Sequence, residues 1–433
     1  MNILLIGSGG REHALAKKLS QSPNVKLCAA PGNPGILQFA HHAHIDITEH
    51  EELLDFCEEA SIDLVVVGPE APLAAGLADD LRAKNFAVFG PSRDAARLES
   101  SKAFAKDFML RHGIPTAQYR VFNEHQHHEA REYVASHPLP VVIKADGLAA
   151  GKGVTVAETH RHALEALDAA FDGKFGTAGR SIVVEEFMDG EEASLFAICD
   201  GENFLTLASA QDHKRIGDGD TGENTGGMGA YAPAPIVTTE ILREAEERII
   251  APTLRGMKAE GHPFVGCLYV GLMIDTSGNA RVVEFNARFG DPETQAVLNV
   301  LDGDLARLLH SAAIGNLDRS TVQSVASGVS CCVVLAASGY PGEVRRGDEI
   351  TGIEDAEKTS NGAVSVFHAG TMLHDDVDGT QSLRTHGGRV LGVTAKGTTL
   401  EDAIEQSYKA IKHIHFRGKT YRTDIGQKGM KKG

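Results

Sequence analysis

The chain has 433 residues, 42% apolar and 23% charged, an ordinary globular balance that is too long for one core, so roughly two to four domains are expected. A formal net charge of −17 argues against nucleic acid as the main partner, because a phosphate backbone is met by a basic footprint. It leaves room for small anions held by local clusters of lysine, arginine and glycine amides.

Residues 1–100 alternate short apolar runs with helical stretches. NILLIG (2–7) has no basic region before it and no small-residue cleavage site after it, so it reads as a first strand and not as a signal peptide. REHALAKKLSQS follows, then VKLCAA (25–30), HIDI (44–47), EHEELLDFCEEA, IDLVVVG (62–68), PLAAGLADDLRAKN and FAVFG (86–90). Continuous apolar strands separated by helices predict a parallel sheet covered on both faces. The segments GSGG, PGNPG, GPEAP and GPS then line the carboxyl edge of that sheet, where ligands bind.

Residues 92–116 predict a serine-capped helix ended by glycine and proline, leading into a second unit that runs to 327. GVSCCVVLAA, GAVSVFHAGTM and a helix near 399–414 predict a small α+β domain over 328–425. The tail 426–433, GQKGMKKG, has nothing evident to pack and is expected to be disordered. No run approaches the ~18 apolar residues of a membrane helix. The six cysteines show no metal or disulfide spacing and are expected as buried free thiols of a cytoplasmic protein.

The chemistry sits in four segments. Gly9, Gly10 and Arg11 in GSGGREH follow a strand and open a helix, a place where backbone N–H groups meet anions. A dinucleotide fingerprint fails there, because Glu12 takes the third glycine position and the second strand ends without an acid. A phosphate or phosphosugar site and a purely structural turn both remain open. In VVIKADGLAAGKGVTVA, Lys144 ends an apolar strand before Gly147, Gly151, Lys152 and Gly153. The spacing is not that of a phosphate loop of the GxxxxGK type, but a strand lysine and a glycine hairpin can grip a triphosphate.

In VVEFNARFGDPETQ, strand parity turns Glu284 and Asn286 to one face, with Val283 and Phe285 opposite. A carboxylate beside an amide oxygen suits Mg²⁺. Arg288 follows on the same parity, close enough to face phosphate charge, and Asp291 lies in the next turn. Finally QDHKRIGDGDTGENTGGMGAY (211–231) is glycine-rich yet carries Asp212, Lys214, Arg215, Asp218 and Asp220, which predicts a substrate loop over a linker.

Together DHKRIGDGDTGENTGGMGAY, KADGLAAGKGV and EFNARFGDPETQ resemble the glycinamide ribonucleotide synthetase family, and GSGGREHALA, PGNPG and GPEAPL agree. The resemblance covers nearly the whole chain. It implies a preATP-grasp parallel-sheet domain (1–100), ATP-grasp lobes (101–327) with a mobile ATP lid near 118–190, and the small C-terminal α+β domain. It also implies ATP-dependent joining of glycine to 5-phosphoribosylamine through glycyl phosphate, with Mg²⁺ or Mn²⁺, by a monomer or weak homodimer.

By the resemblance, Lys102, Lys144 and the loop Gly151-Lys152-Gly153 contact ATP phosphates. Glu185 with the backbone near Phe187 and Met188 holds adenine, and Glu192 holds the ribose. Glu284 and Asn286 ligate the metal, and Arg288 steadies the transferring phosphoryl group. Gly9, Gly10, Arg11 and Glu70 meet phosphoribosylamine, while Asp212, Lys214, Arg215 and Asp291 face the ribosyl or glycine side. Many relatives across the wider superfamily carry a further acid one strand earlier; here that strand, CLYVGLMI, has none. Three rivals are another ATP-grasp ligase, a nicotinamide oxidoreductase and an inactive binding protein.

Overall fold

The computed structural model describes residues 1–148, 153–323, 325–360, 362–377 and 379–430. Strands β1 (Asn2–Gly7), β2 (Lys26–Pro31), β3 (His41–His42), β4 (Leu64–Val67) and β5 (Val88–Phe89) form a parallel sheet in the order β3-β2-β1-β4-β5. Alternation divides its side chains between two cores. Leu4, Ile6, Val65 and Val67 enter one, and Ile3, Leu5, Leu64 and Val66 the other. Both faces are therefore covered, and the strand ends with their glycine loops are left as the accessible edge.

The next four strands, β6 (Tyr119–Asn123), β7 (Val141–Ala145), β8 (Val154–Ala157) and β9 (Ser181–Glu186), pair antiparallel in the order β6-β9-β7-β8. They close on a separate core that includes Phe122, Val134, Ile143, Leu167 and Val184. A third sheet, β11-β10-β16-β17, is made of β10 (Glu191–Asp200), β11 (Phe204–Thr206), β16 (Val265–Ile274) and β17 (Ala280–Asn286). Its Leu195, Val270, Leu272 and Phe285 share one core with Leu4 and Val67, which ties β17 rigidly to the N-terminal sheet.

Between these sheets in the chain lie β12 (Gln211–Asp212), β13 (Arg215–Gly217), β14 (Thr221–Asn224) and β15 (Gly229–Ala232). The C-terminal region supplies β18 (Val329–Ala336), β19 (Val364–His368), β20 (Thr371–Asp375), β21 (Gln381–Thr385) and β22 (Arg389–Gly397). The 211–231 segment is thus not an irregular loop. Its outer strands β12 and β15 extend the C-terminal sheet in the order β12-β15-β18-β22-β19, and β13 and β14 form a hairpin projecting from it. Helix Leu400–Ile411 covers that sheet with Ala403, Ala410 and Ile411 in one apolar stripe, and Ser407 among them donates to the Cys331 carbonyl.

Two local expectations change. The helix expected over 92–116 is broken at Ser101, whose backbone is extended and whose hydroxyl caps helix Lys102–Arg111 by accepting from the Phe104 N–H. Lys102 is thereby set on the first turn. The tail expected to be disordered over 426–433 is instead a helical turn, Gln427–Met430, with residues 431–433 outside the described set. Gly429 is its packing surface: a Cβ there would stand 2.6 Å from Leu400 and 2.7 Å from Tyr231. Absence of a side chain was the means of packing, so composition suggested the opposite. Among the described residues no helix is long and apolar enough to cross a membrane.

Candidate active site

On one flank of the site stand lysines. Lys144, at the end of β7 and 4% exposed, places Nζ 2.9 Å from Glu185 Oε2 on neighbouring β9 and donates to the Val283 carbonyl at 3.1 Å. Lys106 Nζ reaches the same Glu185 oxygen at 3.0 Å and donates to Thr116 Oγ1. Burial, opposed by Glu185, lowers the Lys106 pKa to about 8. Two buried ammonium groups share one carboxylate, so the flank carries a surplus positive charge, while Glu185 Oε1 is a buried acceptor with no partner. Lys102 donates to the Gly147 carbonyl at 3.2 Å. Gly147 has φ +121°, and a Cβ there would stand 2.9 Å from Ala178, so both backbone and space call for glycine. Gly153 closes the hairpin by accepting from the Ala145 N–H. Gly151 and Lys152 lie outside the described residues.

The strand β17 faces this flank. Between Gly271↔Glu284 and Leu272↔Val282 the register slips, leaving Val283 as an extra residue. The bulge corrects the simple alternation: Val282 and Phe285 are the core residues, and Val283 is not buried with them. Glu284 and Asn286 still share a face. Burial would raise the Glu284 pKa, but Lys214, Lys144, Lys102 and Arg288 together hold it below the ordinary value. An ionised carboxylate and an amide oxygen result, a hard-oxygen pair that fits a divalent cation drawing its other ligands from phosphate and water.

On the other flank stand arginines. Arg288 Nε donates to Glu70 Oε2 at 3.1 Å, its Nη2 lies 2.9 Å from Glu99 Oε1, and it reaches the Asn286 amide oxygen at 3.3 Å. Glu99 is itself fixed by the Ala287 N–H at 2.7 Å. Arg11 donates from Nη1 to the Gly68 carbonyl, beside Glu70, while its buried Nε lacks a hydrogen bond. The Gly9 N–H is taken by Glu12 at 2.7 Å, and a Cβ on Gly10 would stand 2.6 Å from Gln295 Nε2. Asp291 accepts from Gln295 and lies 3.4 Å from Arg389, which reaches in from β22. Burial raises the Asp291 pKa; Arg389, then Arg11, more than reverse this, and the carboxyl stays ionised.

Residues 212–215 of the 211–231 segment divide between two sides. Asp212 and Lys214 turn inward: Lys214 pairs with Glu192, and Asp212 is pushed up to about 7 by burial, with Glu293, Glu192 and Glu284 adding to it against Lys214. His213 and Arg215 turn the other way. The Arg215 guanidinium donates to Gly222 within its own hairpin, so the structure does not bring it to the cluster. Phe187 is half exposed and Met188 buried, in the turn between β9 and β10 beside Glu185 and Glu192.

Sequence reasoning missed Lys106, Glu99, Arg389 and the hydrogen-bonded set Ser194–Tyr269–Glu293. Only Lys106 left a signal, four residues after Lys102 and so on the same helix face.

Three family profiles match, described as the N domain (1–99), the ATP-grasp domain (100–294) and the C domain (330–428) of phosphoribosylglycinamide synthetase. The chain belongs to the phosphoribosylglycinamide synthetase family. It is a carbon–nitrogen ligase of the ATP-grasp type. Curated phosphoribosylamine–glycine ligases from Mesorhizobium japonicum and Brucella melitensis are 52% and 51% identical, the first over 98% of both chains and the second over 100% of this one and 99% of that one. The crystal structure of the phosphoribosylamine–glycine ligase from Thermotoga maritima superposes with a TM-score of 0.83 at 32% identity, covering 98% of this chain and all of that one. Biotin carboxylase from Campylobacter jejuni shares the fold, with a TM-score of 0.72 at 15% identity over 99% of this chain and 95% of that one.

Proposed function

We propose that this ligase joins glycine to 5-phosphoribosylamine by way of glycyl phosphate, in the cytoplasm. The observation that supports it most is the bond from Lys144 to the carbonyl of Val283, next to Glu284. It joins the lysine flank to the metal-facing strand across 139 positions of sequence. A glycine carboxylate is a poor electrophile until one oxygen is phosphorylated; transfer from ATP gives glycyl phosphate and ADP. The amine of 5-phosphoribosylamine then attacks the carbonyl carbon, phosphate departs with the original carboxylate oxygen, and the nitrogen loses a proton.

In this reading the lysine flank takes the nucleotide. Lys102, Lys106 and Lys144 meet the phosphates, the unpartnered Glu185 oxygen accepts from the adenine amino group, and Phe187 and Met188 border the base. Glu192, released from Lys214, holds the ribose. Glu284 and Asn286 would hold Mg²⁺ or Mn²⁺, which neutralises the charge developing on the transferred group. Arg288, fixed by Glu70 and Glu99, is aimed without reorganisation at the same group. Gly10 presents its backbone amide and Arg11 its guanidinium to the phosphosugar, the Gly9 N–H being held by Glu12, and Lys214, Asp212 and Asp291 face the glycine and ribosyl side. Arg215 takes no part. The separate core of the β6–β9 sheet lets it act as a lid over the nucleotide.

Glycine labelled with ¹⁸O in its carboxylate tests the route. One labelled oxygen per turnover should appear in the released phosphate; unlabelled phosphate would exclude the acyl phosphate.

A further inference from the structure

The acidic tip of the 211–231 segment, Gly217-Asp218-Gly219-Asp220, is not used by the site described above, and its partners belong to the C-terminal segment. Arg422, 1% exposed, donates from Nη1 to Asp220 at 2.8 Å and to the Arg215 carbonyl at 3.1 Å. Its Nε and Nη2 form a fork onto Asp424, each at 2.7 Å. Asp424 in turn accepts from the Gly219 N–H at 2.9 Å, and Asp218 accepts from the Thr423 N–H at 2.8 Å and from its hydroxyl. Lys428 pairs with the second Asp220 oxygen.

The anchor is itself fixed. The Tyr408 hydroxyl donates to the Arg422 carbonyl and accepts from the Ile425 N–H, and the turn after it packs Gly429 onto Tyr231. Asp218, Gly219 and Asp220 at the hairpin tip, with the Arg215 carbonyl, are thus held by residues some 200 positions away. His213, whose ring is 1% exposed and without a hydrogen bond, lies on this outward face against Tyr231. Its pKa is lowered to about 4 by burial and by Arg422 and Lys428, so it packs as a neutral ring.

Lys214 directly precedes Arg215, and Thr225 ties the far end of the hairpin back to the Lys214 carbonyl at 2.8 Å from its N–H and 2.9 Å from its hydroxyl. Displacing the hairpin therefore displaces Lys214. We propose that the C-terminal segment Arg422–Lys428 is a clasp that holds the β13–β14 hairpin so that Asp212 and Lys214 face the substrates, with Arg422 and Asp220 as its positioning residues. The clasp acts through Lys214 and so rests on the reading of that residue as substrate-facing.

Asp220 offers a clean test, because its φ of +56° is a conformation that asparagine adopts readily, so Asp220→Asn removes the charge without adding strain. Thr423→Val removes the Asp218 hydroxyl contact from an exposed position. Either variant should melt as wild type does and keep the KM for ATP. Each should raise the KM for glycine or 5-phosphoribosylamine, Asp220→Asn by ~10-fold, and speed amide hydrogen exchange across 215–224. Lys214→Ala is assayed beside them. If Lys214→Ala is impaired while both clasp variants keep wild-type KM values, the clasp is overturned. If Lys214→Ala itself binds both substrates normally, the substrate-facing reading falls instead.

Discussion

The two flanks of the site use different cations for different ends. Lysines 102, 106 and 144 are point charges whose partners are a carbonyl, the Thr116 hydroxyl or one oxygen of Glu185, contacts that an incoming phosphate can replace. Arginines 288 and 389 are held by several groups each, Arg288 by Glu70, Glu99 and the Phe289 carbonyl and Arg389 by Asp291 and the Gly226 carbonyl, while Arg11 donates to the Gly68 carbonyl. A guanidinium committed in several directions cannot swing, and so its orientation is preorganised. In the proposed reading the lysine flank accepts a mobile polyanion, and the arginine flank keeps its shape while chemistry proceeds.

Substitutions can break this contrast, beginning with the residue both flanks share. Glu284→Ala should lower ATP turnover by at least ~10³-fold while circular dichroism stays native, since it removes the carboxylate that four cations surround. Near-normal rates at saturating Mg²⁺ would remove the metal assignment. Arg288→Lys keeps the charge but loses the fork and should cost ~10²-fold in kcat. If lysine serves as well, the arginine flank is not the rigid one. Lys106→Met should raise the KM for ATP by ~10-fold and leave that for glycine unchanged; a change confined to glycine would place Lys106 on the wrong side of the site.

The smallest effect concerns the joint between the N- and C-terminal domains. His13 and His368 are buried in contact, and the His13 ring accepts from the His368 N–H at 2.7 Å. Burial first, then His368 and Lys17, holds the His13 pKa well below the ordinary value, and burial lowers His368 to about 4. A depressed histidine pKa means that the unfolded chain takes protons first. The stability is complete above about pH 6.5 and is lost as pH falls toward about 4, by up to roughly 3 kcal/mol for His368. Melting temperature should fall across that window, and less so in His368→Gln; equal slopes would show that other groups carry the acid sensitivity.

How much of this was legible depended on the range of the physics involved. Continuous apolar runs in NILLIG and DLVVV, separated by helical stretches, identified a sheet buried on both faces, because burial on each side is a property of successive residues. Parity paired Glu284 with Asn286 on one face of β17. The family resemblance placed Arg215 with the substrate groups, and its charge alone does not reveal which face it takes.

The chemical inventory was therefore set by the chain itself: a strand lysine before glycines, a carboxylate–amide pair, and an acid- and glycine-rich segment, each local in sequence. Tertiary structure decided which charges meet. Glu185 bridging Lys106 to Lys144, the bulge that frees Val283 to bind Lys144, Arg389 beside Asp291, and Arg422 beneath Asp220 all join residues distant in the chain. Such pairs form only where separately stabilised sheets come together, and no short-range pattern encodes a distance that folding alone creates.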